Sequence, residues 1–328
     1  MNILGIETSC DETAASVVHA GRTILSNAIA SSLKEHQKFG GIIPEIASRR
    51  QLELIHAIVE TALEKAHLKL ADIVAIAFTS APGLIGSLLV GTSFARAIGF
   101  AAQKPLIEVD HIKAHIYANF LTFADQTKNT HIRTSNKAPR LPAIGLIISG
   151  GHSSLYQVQD HTHYKLLGQT RDDAAGEAFD KVARILGLGY PGGPVIDQLA
   201  KKGAGTKIRF PQAELAEKYD FSFSGLKTAV LYYKNKHEKD TDFSVPQVAF
   251  AFQESVVNTL THKALTACRG KKITTLLVGG GVAANSTLRQ KLCAAAQEEG
   301  INVYFPPLSL CIDNAAMIAG FGFHLYKN

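Results

Sequence analysis

The sequence predicts an α/β protein made of two copies of one structural unit, with a nucleotide cleft between them. The order of apolar strand, polar turn, strand, short turn and strand occurs near residue 3 and again near residue 144. A later apolar strand at 274–278 ends in three glycines and resembles the strand at 73–79, which is soon followed by Ala-Pro-Gly. Since a helical pattern follows each of these later strands, the repetition extends beyond the first three strands of each copy.

In each predicted half, the strands are short apolar runs bounded by polar or glycine-containing turns. The first half contains strands at 2–7, 14–19, 23–28 and 73–79. The second half contains strands at 144–148, 154–158, 164–168 and 274–278. Helices are predicted at 44–67, where apolar residues recur at helical spacing, and from 84 to about 102.

The stretch 122–142 is polar and basic, so it is predicted to be a surface loop that links the two halves. We therefore expect an N-terminal lobe over 1–121 that carries the histidine motif described below. A C-terminal lobe is expected over 143–328. Its last helix can pack back on the first lobe.

Composition argues for a protein of the cytoplasm. Of 328 residues, 46% are apolar and 19% are charged, a balance typical of globular proteins. The N-terminus lacks the pattern of a signal peptide, and the richest apolar segment, 84–102, contains Arg96 and small residues typical of a buried helix. The four cysteines form no C-x-x-C pair, which favours free thiols in a reducing compartment. A net charge of +6 is compatible with a polyanionic partner.

The pair His111 and His115 is a candidate metal site. Their spacing puts both imidazoles on one face of a helix, which Asp110 can cap. The glutamate that follows the first histidine in zincin proteases is missing, which disfavours a metalloprotease. Asp313 is the candidate third ligand, and two histidines with one carboxylate suit Fe(II) or Zn(II) with open positions. The alternative is two histidines packed at a cleft edge and an aspartate that only caps its helix.

Several glycines at the ends of predicted strands and loops favour nucleotide binding, because glycine lets the main chain approach a phosphate closely. They are Gly150-Gly151, Gly192-Gly193 and the triple at 279–281. The sequence has neither a P-loop nor a G-x-G-x-x-G motif after a strand, so a P-loop ATPase and a dinucleotide-binding fold are not expected. The absence of a G-x-S-x-G elbow likewise disfavours a serine hydrolase.

Charged residues supply further candidate contacts. Asp180, in the acidic run 172–181, and Asp197 can each accept hydrogen bonds from a ribose or an amine. Basic and aromatic residues suited to phosphate contact are Lys227, Tyr232, Tyr233, Lys234, Lys236 and Lys239, together with Lys128, Arg133, Lys137 and Arg140 in the linker. For both groups the alternative is a charged and solvated surface.

Ordered motifs that cover essentially the whole chain resemble one family. They are ILGIETSCDETAASVV, FGGIIPEIASR, TSAPGLIGSLLVG, DHIKAHIYA, LIISGGHSSLYQV, DDAAGEAFDKVARILGLGYPGGPVID, FSFSGLKTAV, LLVGGGVAAN and CIDNAAMIA. Together they resemble the universal tRNA threonylcarbamoyltransferases, in particular the bacterial catalytic subunit formerly labelled an O-sialoglycoprotein endopeptidase. The older protease label agrees poorly with the missing glutamate.

The resemblance implies an actin-like ATPase (ASKHA) fold with two RNase H-like lobes. It also implies transfer of a threonylcarbamoyl group from its adenylate to N6 of adenosine 37 in tRNAs that read ANN codons. One divalent metal, Fe(2+) in preference to Zn(2+), is then held by His111, His115 and Asp313, and Asp11 is the candidate catalytic residue. The adenylate, or ATP or ADP, is expected to contact Ile147, Ile148, Ser149, Gly150, Gly151, Asp180, Gly193, Asp197 and Asn285.

The resemblance also implies partners. They are the anticodon loop of tRNA, a paralogous TsaB-type subunit that forms a heterodimer, a TsaE-type P-loop ATPase and the TsaC-type synthase that makes the adenylate. No membrane is expected among them. Alternatives from other classes are a metabolite kinase of the same fold and a non-catalytic scaffold that binds nucleotide.

Four positions depart from the common family pattern without removing a proposed ligand. Ala81 stands in place of glycine, Ser153 in place of threonine, Gln51 in place of histidine and Lys113 in place of glutamate. Lys113 places a positive charge beside the candidate metal site, where it would weaken metal binding if it pointed inward.

Overall fold

A computed structural model describes residues 1–125, 127, 130, 132–134, 138–213 and 215–327 of the chain. The described strands are β1 (Asn2–Glu7), β2 (Glu12–His19), β3 (Thr23–Ser31), β4 (Ala75–Ala81), β5 (Leu106–Asp110), β6 (Thr122–Phe123), β7 (Ile132–Arg133), β8 (Ala143–Ile148), β9 (Ser153–Val158), β10 (Tyr164–Gln169), β11 (Thr275–Gly279) and β12 (Asn302–Phe305). The described α-helices are α1 (Leu33–Gln37), α2 (Pro44–Lys65), α3 (Ile85–Ala102), α4 (His111–Tyr117), α5 (Ala175–Ile185), α6 (Gly192–Ala200), α7 (Ser224–His237), α8 (Val245–Lys271), α9 (Ser286–Glu298) and α10 (Ala315–Lys327).

The chain divides into two compact units. Unit 1 contains Met1–His131, His161–His163 and Pro306–Asn328, and unit 2 contains Ile132–Asp160 and Tyr164–Phe305. Helix α10 therefore belongs to the same unit as the N-terminal strands. Two short strands, β6 and β7, lie within the stretch that the sequence predicts as a linker.

The two sheets share one arrangement. The strand order is β5-β4-β1-β2-β3-β6 in unit 1 and β10-β9-β8-β11-β12-β7 in unit 2. In each sheet three consecutive strands pair antiparallel. The first of these three strands also pairs in parallel with a strand from later in the sequence. That later strand has a second parallel neighbour on its other side. The predicted duplication is therefore confirmed. Only the sixth strands differ, because β6 is parallel to β3 whereas β7 is antiparallel to β12.

Helices cover both faces of the sheet in unit 1. Leu4 and Ile6 of β1 belong to a buried cluster that includes Ile55 of α2 and Ala95 of α3. Because side chains alternate along a strand, Gly5 faces the other side, where a Cβ would lie 2.3 Å from the main-chain oxygen of Ala315 in α10. Glycine at this position lets α10 lie directly on β1, which brings the residues just before α10 close to the end of the sheet.

Helix α3 presents its large apolar side chains outward. Ile85, Leu89 and Phe100 are 86%, 64% and 89% exposed. Its buried residues are small, namely Ser87, Gly91, Ala95 and Gly99. By length and composition alone α3 is the one described helix that could cross a membrane, and 22% of it is buried. The prediction of a buried helix is wrong for this face, because small residues suffice to seat the helix on the sheet and the large ones remain uncovered.

Candidate metal centre and nucleotide-binding turns

Helix α4 positions the histidine pair in unit 1. Strand β5 ends at Asp110, whose carboxylate accepts a hydrogen bond from the main-chain N–H of Lys113 at 3.0 Å and so caps the helix. His111 and His115 lie one turn apart and buried, with ring centroids 4.6 Å apart. The Lys113 ammonium lies 3.8 Å from the second oxygen of Asp110. The Asp110 carboxylate therefore offsets part of the positive charge of Lys113, which lies between the two histidines in the sequence.

Asp313 meets both histidines from a distant part of the sequence. Its Oδ1 atom lies 3.0 Å from Nε2 of His115 and 3.4 Å from Nε2 of His111. One ligand atom from each side chain lies within 4.8 Å of the others. The following helix is capped by Asn314, whose Oδ1 accepts a hydrogen bond from the N–H of Met317 at 3.1 Å. Asp313 is therefore not required as the cap, and its carboxylate faces the imidazoles.

Burial and charge act in opposite directions on this cluster. Burial disfavours the imidazolium of His111, but the carboxylates of Glu7 and Asp313 outweigh it and raise the pKa of His111 well above its usual value. Burial lowers the pKa of His115, against the hydrogen bond to Asp313. Burial also disfavours ionised Asp313, but the two imidazoles hold its pKa well below the usual range. A carboxylate and a neutral imidazole, the forms that bind a cation, are thus favoured at Asp313 and His115.

The donor set fits a divalent transition-metal ion. Two imidazole nitrogens and one carboxylate oxygen are donors that both Fe(II) and Zn(II) accept. Nδ1 of His115 is buried and has no hydrogen-bond partner within the part of the chain that the structure describes. Among the described residues, the ring of His115 therefore has a hydrogen-bond partner only on the side that faces Asp313. The three predicted ligands together form a candidate metal site.

Glu7 is a candidate functional residue that the sequence reasoning missed. It is the last residue of β1, its side chain is fully buried, and its Oε2 lies 3.0 Å from Nδ1 of His111. The hydroxyl of Thr79 donates to the same oxygen at 2.6 Å, and the main-chain N–H of Ser9 donates to Oε1. The signal in the sequence was a carboxylate that closes the otherwise apolar run ILGIE. Such a group is rarely buried without partners.

Asp11, the candidate catalytic residue, lies in the turn between β1 and β2. The side-chain amide of Gln51 donates to the main-chain oxygens of Cys10 at 2.9 Å and Glu12 at 3.1 Å. Gln51 thus holds the turn from the side of α2. The main-chain oxygen of Asp11 accepts hydrogen bonds from the N–H and the hydroxyl of Ser32 at 3.0 and 2.8 Å. The backbone on both sides of the Asp11 side chain is therefore fixed.

Neighbouring groups in this turn are kept uncharged. Burial, reinforced by Asp11 and Asp313, raises the pKa of Glu12 to about 10, so Glu12 is a neutral carboxylic acid at neutral pH. Burial and Asp313 also raise the pKa of the Cys10 thiol. A protonated thiol is neither a good metal ligand nor a good nucleophile, which leaves the chemistry to the histidines and carboxylates.

The turn after β8 in unit 2 is open on one side. Ser149 donates its N–H to the oxygen of His152 at 2.8 Å and accepts the N–H of Gly176, in the first turn of α5, at 3.1 Å. A Cβ at Gly176 would lie 2.6 Å from that Ser149 oxygen, so glycine allows the close approach. Around Gly150 and Gly151 no heavy atom of the described residues lies within 4 Å of a built Cβ. A ligand can therefore approach the main chain at these two glycines.

The side chains of Ile147 and Ile148 are fully buried in the core of unit 2. Their predicted contact with the substrate stays a prediction. Gly280 has φ of +90°, and a Cβ there would lie 2.5 Å from the oxygen of Ile148. The glycine-rich end of β11 thus packs against the end of β8, with which β11 pairs in parallel.

Asp180 connects α5 to the glycine pair at the start of α6. Its carboxylate accepts the N–H of Gly192 at 2.7 Å. Burial raises the pKa of Asp180, against that hydrogen bond. The next residue, Gly193, has no atom of the described chain within 4 Å of a built Cβ. Asp180 therefore orients the pair, and Gly193 offers main chain that a ligand can approach.

Asp197 and Asn285 each form hydrogen bonds at the start of α9. Asp197 accepts hydrogen bonds from the N–H and the hydroxyl of Ser286, both at 3.0 Å. Asn285 caps the helix by accepting the N–H of Leu288 at 2.9 Å, and its amide donates to Gln253 at 2.8 Å. These polar atoms already have partners inside unit 2. Their assignment to substrate contact stays a prediction, and a structural role is evident for both.

The basic segment on α7 is partly used within unit 2. Lys227 lies 3.4 Å from a carboxylate of the unit, and Lys234 donates to the main-chain oxygen of Ile185 at 2.8 Å. Phosphate contact by the other predicted basic residues stays a prediction. In the linker, Lys128 and Lys137 lie outside the described residues.

Two sheets of one topology, with a His-His-Asp cluster beside the first, define an actin-like α/β protein with a candidate metal site. The chain is similar to a structure of full-length HypF, with a TM-score of 0.62 and 15% identity over 99% of this chain and 46% of that chain. It is also similar to component A of (R)-2-hydroxyglutaryl-CoA dehydratase from Acidaminococcus fermentans, with a TM-score of 0.51 and 15% identity over 100% of both chains. At such low identity these similarities show the fold alone.

The chain belongs to the TsaD family of tRNA N6-adenosine threonylcarbamoyltransferases, whose sequence profile matches residues 23–320. A curated relative of that name from Clostridium botulinum (strain 657 / Type Ba4) is 49% identical over 328 residues, which cover 99% of this chain and 93% of the relative. Another from Clostridioides difficile (strain 630) is 49% identical over 327 residues, with the same coverage. The family indicated by the sequence motifs is therefore confirmed, and the chain is an enzyme of the transferase class. Neither the kinase nor the scaffold alternative is favoured.

Proposed function

We propose that this chain transfers the threonylcarbamoyl group of threonylcarbamoyl-AMP to N6 of adenosine 37 in tRNAs reading ANN codons, which yields t6A and AMP. The observation that carries the proposal is the meeting of His111, His115 and Asp313 at one point in a chain of this family. Kinases of the same fold do not need such a site for phosphoryl transfer.

The proposed metal is one divalent ion per chain, Fe(2+) in preference to Zn(2+). Bound to these three residues, it would supply a Lewis acid that polarises the carbamoyl carbonyl. The chain contributes the orientation of the donors. Asp110 fixes the start of α4, and Asn314 rather than Asp313 caps the last helix, so both elements present their ligands without rearrangement.

The nucleotide part of the donor is assigned to unit 2. The accessible main chain at Gly150, Gly151 and Gly193 suits phosphate or sugar oxygens, because no side chain obstructs the approach. Asp180 holds the pair that contains Gly193. Asp197 and Asn285 support the neighbouring start of α9, and ATP or ADP is expected to use the same contacts as the adenylate.

In the proposed reaction, N6 of the adenosine attacks the carbamoyl carbon and forms the new C–N bond. The bond between that carbon and the phosphate oxygen breaks, AMP leaves, and one N6 proton is released. An aromatic amine is a weak nucleophile, so positioning and electrophile activation dominate the rate. Asp11 is assigned to accept the proton or to orient the donor, because its turn is fixed on both sides by Gln51 and Ser32.

The proposed partners follow from the same reaction. The anticodon loop of tRNA presents an unpaired base, so little energy is needed to expose it. The outward face of α3, with Ile85, Leu89 and Phe100, suits a paralogous TsaB-type subunit, because an apolar surface of this kind marks a protein interface. A TsaE-type ATPase and a TsaC-type synthase complete the proposed cytoplasmic set, with no membrane involved.

The test is reconstitution with unmodified tRNA, threonine, bicarbonate, ATP and the proposed partners, followed by mass spectrometry of nucleosides. We expect t6A to form with the full chain and to fall at least about 100-fold with His111→Ala, since one of three ligands is lost. An exposed histidine changed in the same way, His56→Ala, is the matched control. Phosphorylation of a small metabolite with no t6A would instead support a kinase.

A further inference from the structure

We infer that Glu7 is the positioning residue of the metal site, and that it keeps the proton of His111 on Nδ1 so that Nε2 faces the metal. The inference rests on the proposed metal-dependent function and names a residue outside the predicted ligand set. It depends on the hydrogen bonds around one buried carboxylate.

The Glu7 carboxylate is held by three donors. Its Oε2 accepts from the Thr79 hydroxyl at 2.6 Å and lies 3.0 Å from Nδ1 of His111. Its Oε1 accepts the main-chain N–H of Ser9. The side chain is fully buried at the end of β1, so neither water nor a change of rotamer readily replaces these contacts. The position of the carboxylate is therefore set by the sheet itself.

The Glu7 carboxylate already serves as the acceptor for Thr79 and Ser9, so the histidine nitrogen that faces it is expected to carry a hydrogen. At His111 that nitrogen is Nδ1, and Nε2 is the atom that points to Asp313 at 3.4 Å. A histidine that binds a metal through one nitrogen usually donates its other N–H in this way, which fixes the ring and increases its basicity. When a metal takes the place of the second proton of His111, Glu7 would thus keep the remaining proton on Nδ1 and leave the Nε2 lone pair on the metal side.

Ser9 is the competing partner for the same nitrogen. Its hydroxyl lies 3.2 Å from Nδ1 of His111, farther than the Glu7 oxygen. A hydroxyl can donate as well as accept, so Ser9 alone would permit either tautomer. The selection therefore comes from Glu7.

His115, the second histidine, has no partner at Nδ1 that corresponds to Glu7 among the described residues. Nδ1 of His115 is buried and makes no hydrogen bond to any residue that the structure describes. His111 is thus the ligand whose orientation is fixed before the metal arrives, and Glu7 is the group that fixes it.

The test uses the full chain loaded with Zn(II), which is diamagnetic, and compares three variants. Glu7→Leu removes the acceptor, Glu7→Gln keeps a neutral acceptor of the same size, and Thr79→Val removes a donor to Glu7 without touching His111. We expect Zn(II) affinity, measured by chelator competition, to fall about 10- to 100-fold in Glu7→Leu, less in Glu7→Gln and least in Thr79→Val. Long-range ¹H–¹⁵N spectra of the wild type should show His111 protonated on Nδ1.

Two results would overturn the inference. One is a wild-type spectrum with the His111 proton on Nε2, which decides the question even if Glu7→Leu does not fold. The other is a folded Glu7→Leu chain that binds Zn(II) within about threefold of the wild type, against the loss expected for such partners. If the wild type itself bound no Zn(II), or if His111→Ala bound it unchanged, the proposed metal site would fail rather than the role of Glu7 alone.

Discussion

Nε2 of His115 and Oδ1 of Asp313 lie 3.0 Å apart although 198 positions separate the two residues. The contact joins α4 to the segment before α10, and α10 reaches that place because Gly5 lets it lie on β1. Asp313 therefore lies beside the histidines because of the way in which the C-terminal helix packs in unit 1.

Replacement of Asp313 by asparagine should remove most bound metal. The amide is a weaker metal ligand than the carboxylate and removes the negative charge from the side of the imidazoles that faces the metal, so we expect at least about a 100-fold loss of affinity for Fe(II) or Zn(II). Metal content by mass spectrometry and chelator competition would measure it. Glu108→Gln, the same change at an exposed carboxylate, should leave the metal content unchanged.

Asp11→Asn should lower kcat for threonylcarbamoyl transfer without removing the metal. If Asp11 accepts the N6 proton or orients the donor, the loss is about 10²- to 10⁴-fold, the usual range for such groups. Single-turnover kinetics on metal-loaded protein would measure it. A full rate in this variant would exclude the role, whereas an equal loss of metal would place Asp11 in the metal site instead.

His324 should make unit 1 less stable in acid. Burial, with His161 and Lys327 nearby, lowers the pKa of His324 to about 4, against about 6.5 in the unfolded chain. Between these values the unfolded chain binds the proton and the folded chain does not, so stability falls as the pH drops from about 6.5 to about 4. Thermal unfolding scans across this range should show a shallower decline for His324→Gln, which can still donate to Tyr117. An identical decline in both chains would contradict the assignment.

Gly5→Ala should be strongly destabilising. The new Cβ would lie 2.3 Å from the oxygen of Ala315 and 2.7 Å from the nitrogen of Ala319, so α10 would have to shift away from β1. We expect a loss of about 1–3 kcal/mol in the free energy of unfolding, measured with urea, and a weaker metal site because Asp313 precedes α10. The control is Gly225→Ala on α7, where no described atom lies within 4 Å of a built Cβ. This variant should be neutral or slightly stabilising.

The outward face of α3 should be needed for the paralogous subunit and not for the metal. Leu89→Lys or Phe100→Lys should weaken heterodimer formation at least about tenfold, because an apolar anchor is replaced by a charge. Analytical ultracentrifugation would measure this, with metal content as a check on folding. Leu166→Lys on unit 2, another exposed leucine, should have little effect. Equal binding by all variants would assign the partner to another surface.

The sequence predicted the duplication and the histidine pair because both depend on local patterns. Strand order repeats in the sequence, and a spacing of four is sufficient to align His111 with His115 on a helix. Asp313 was predicted from the nature of its side chain and from the family. Its distance to the imidazoles depends on the packing of α10 on β1, which no local pattern encodes.

Other features could not be predicted for the same reason. Glu7 was overlooked because its partners, Thr79 and His111, are far away in the sequence. The exposed apolar face of α3 has the composition of a buried helix, and only the contacts of its small residues show which face is covered. The structural roles of Asp197 and Asn285 depend on the position of α9 beside α6, which is again a tertiary feature.

The most direct test of the account is the anomalous signal from crystals of the full chain grown with Zn(II). The account predicts a single strong peak in unit 1, about 2.0–2.2 Å from Nε2 of His111, Nε2 of His115 and an oxygen of Asp313, and no such peak in Asp313→Asn. A zinc peak elsewhere, or none near these three atoms at saturating metal, would contradict it.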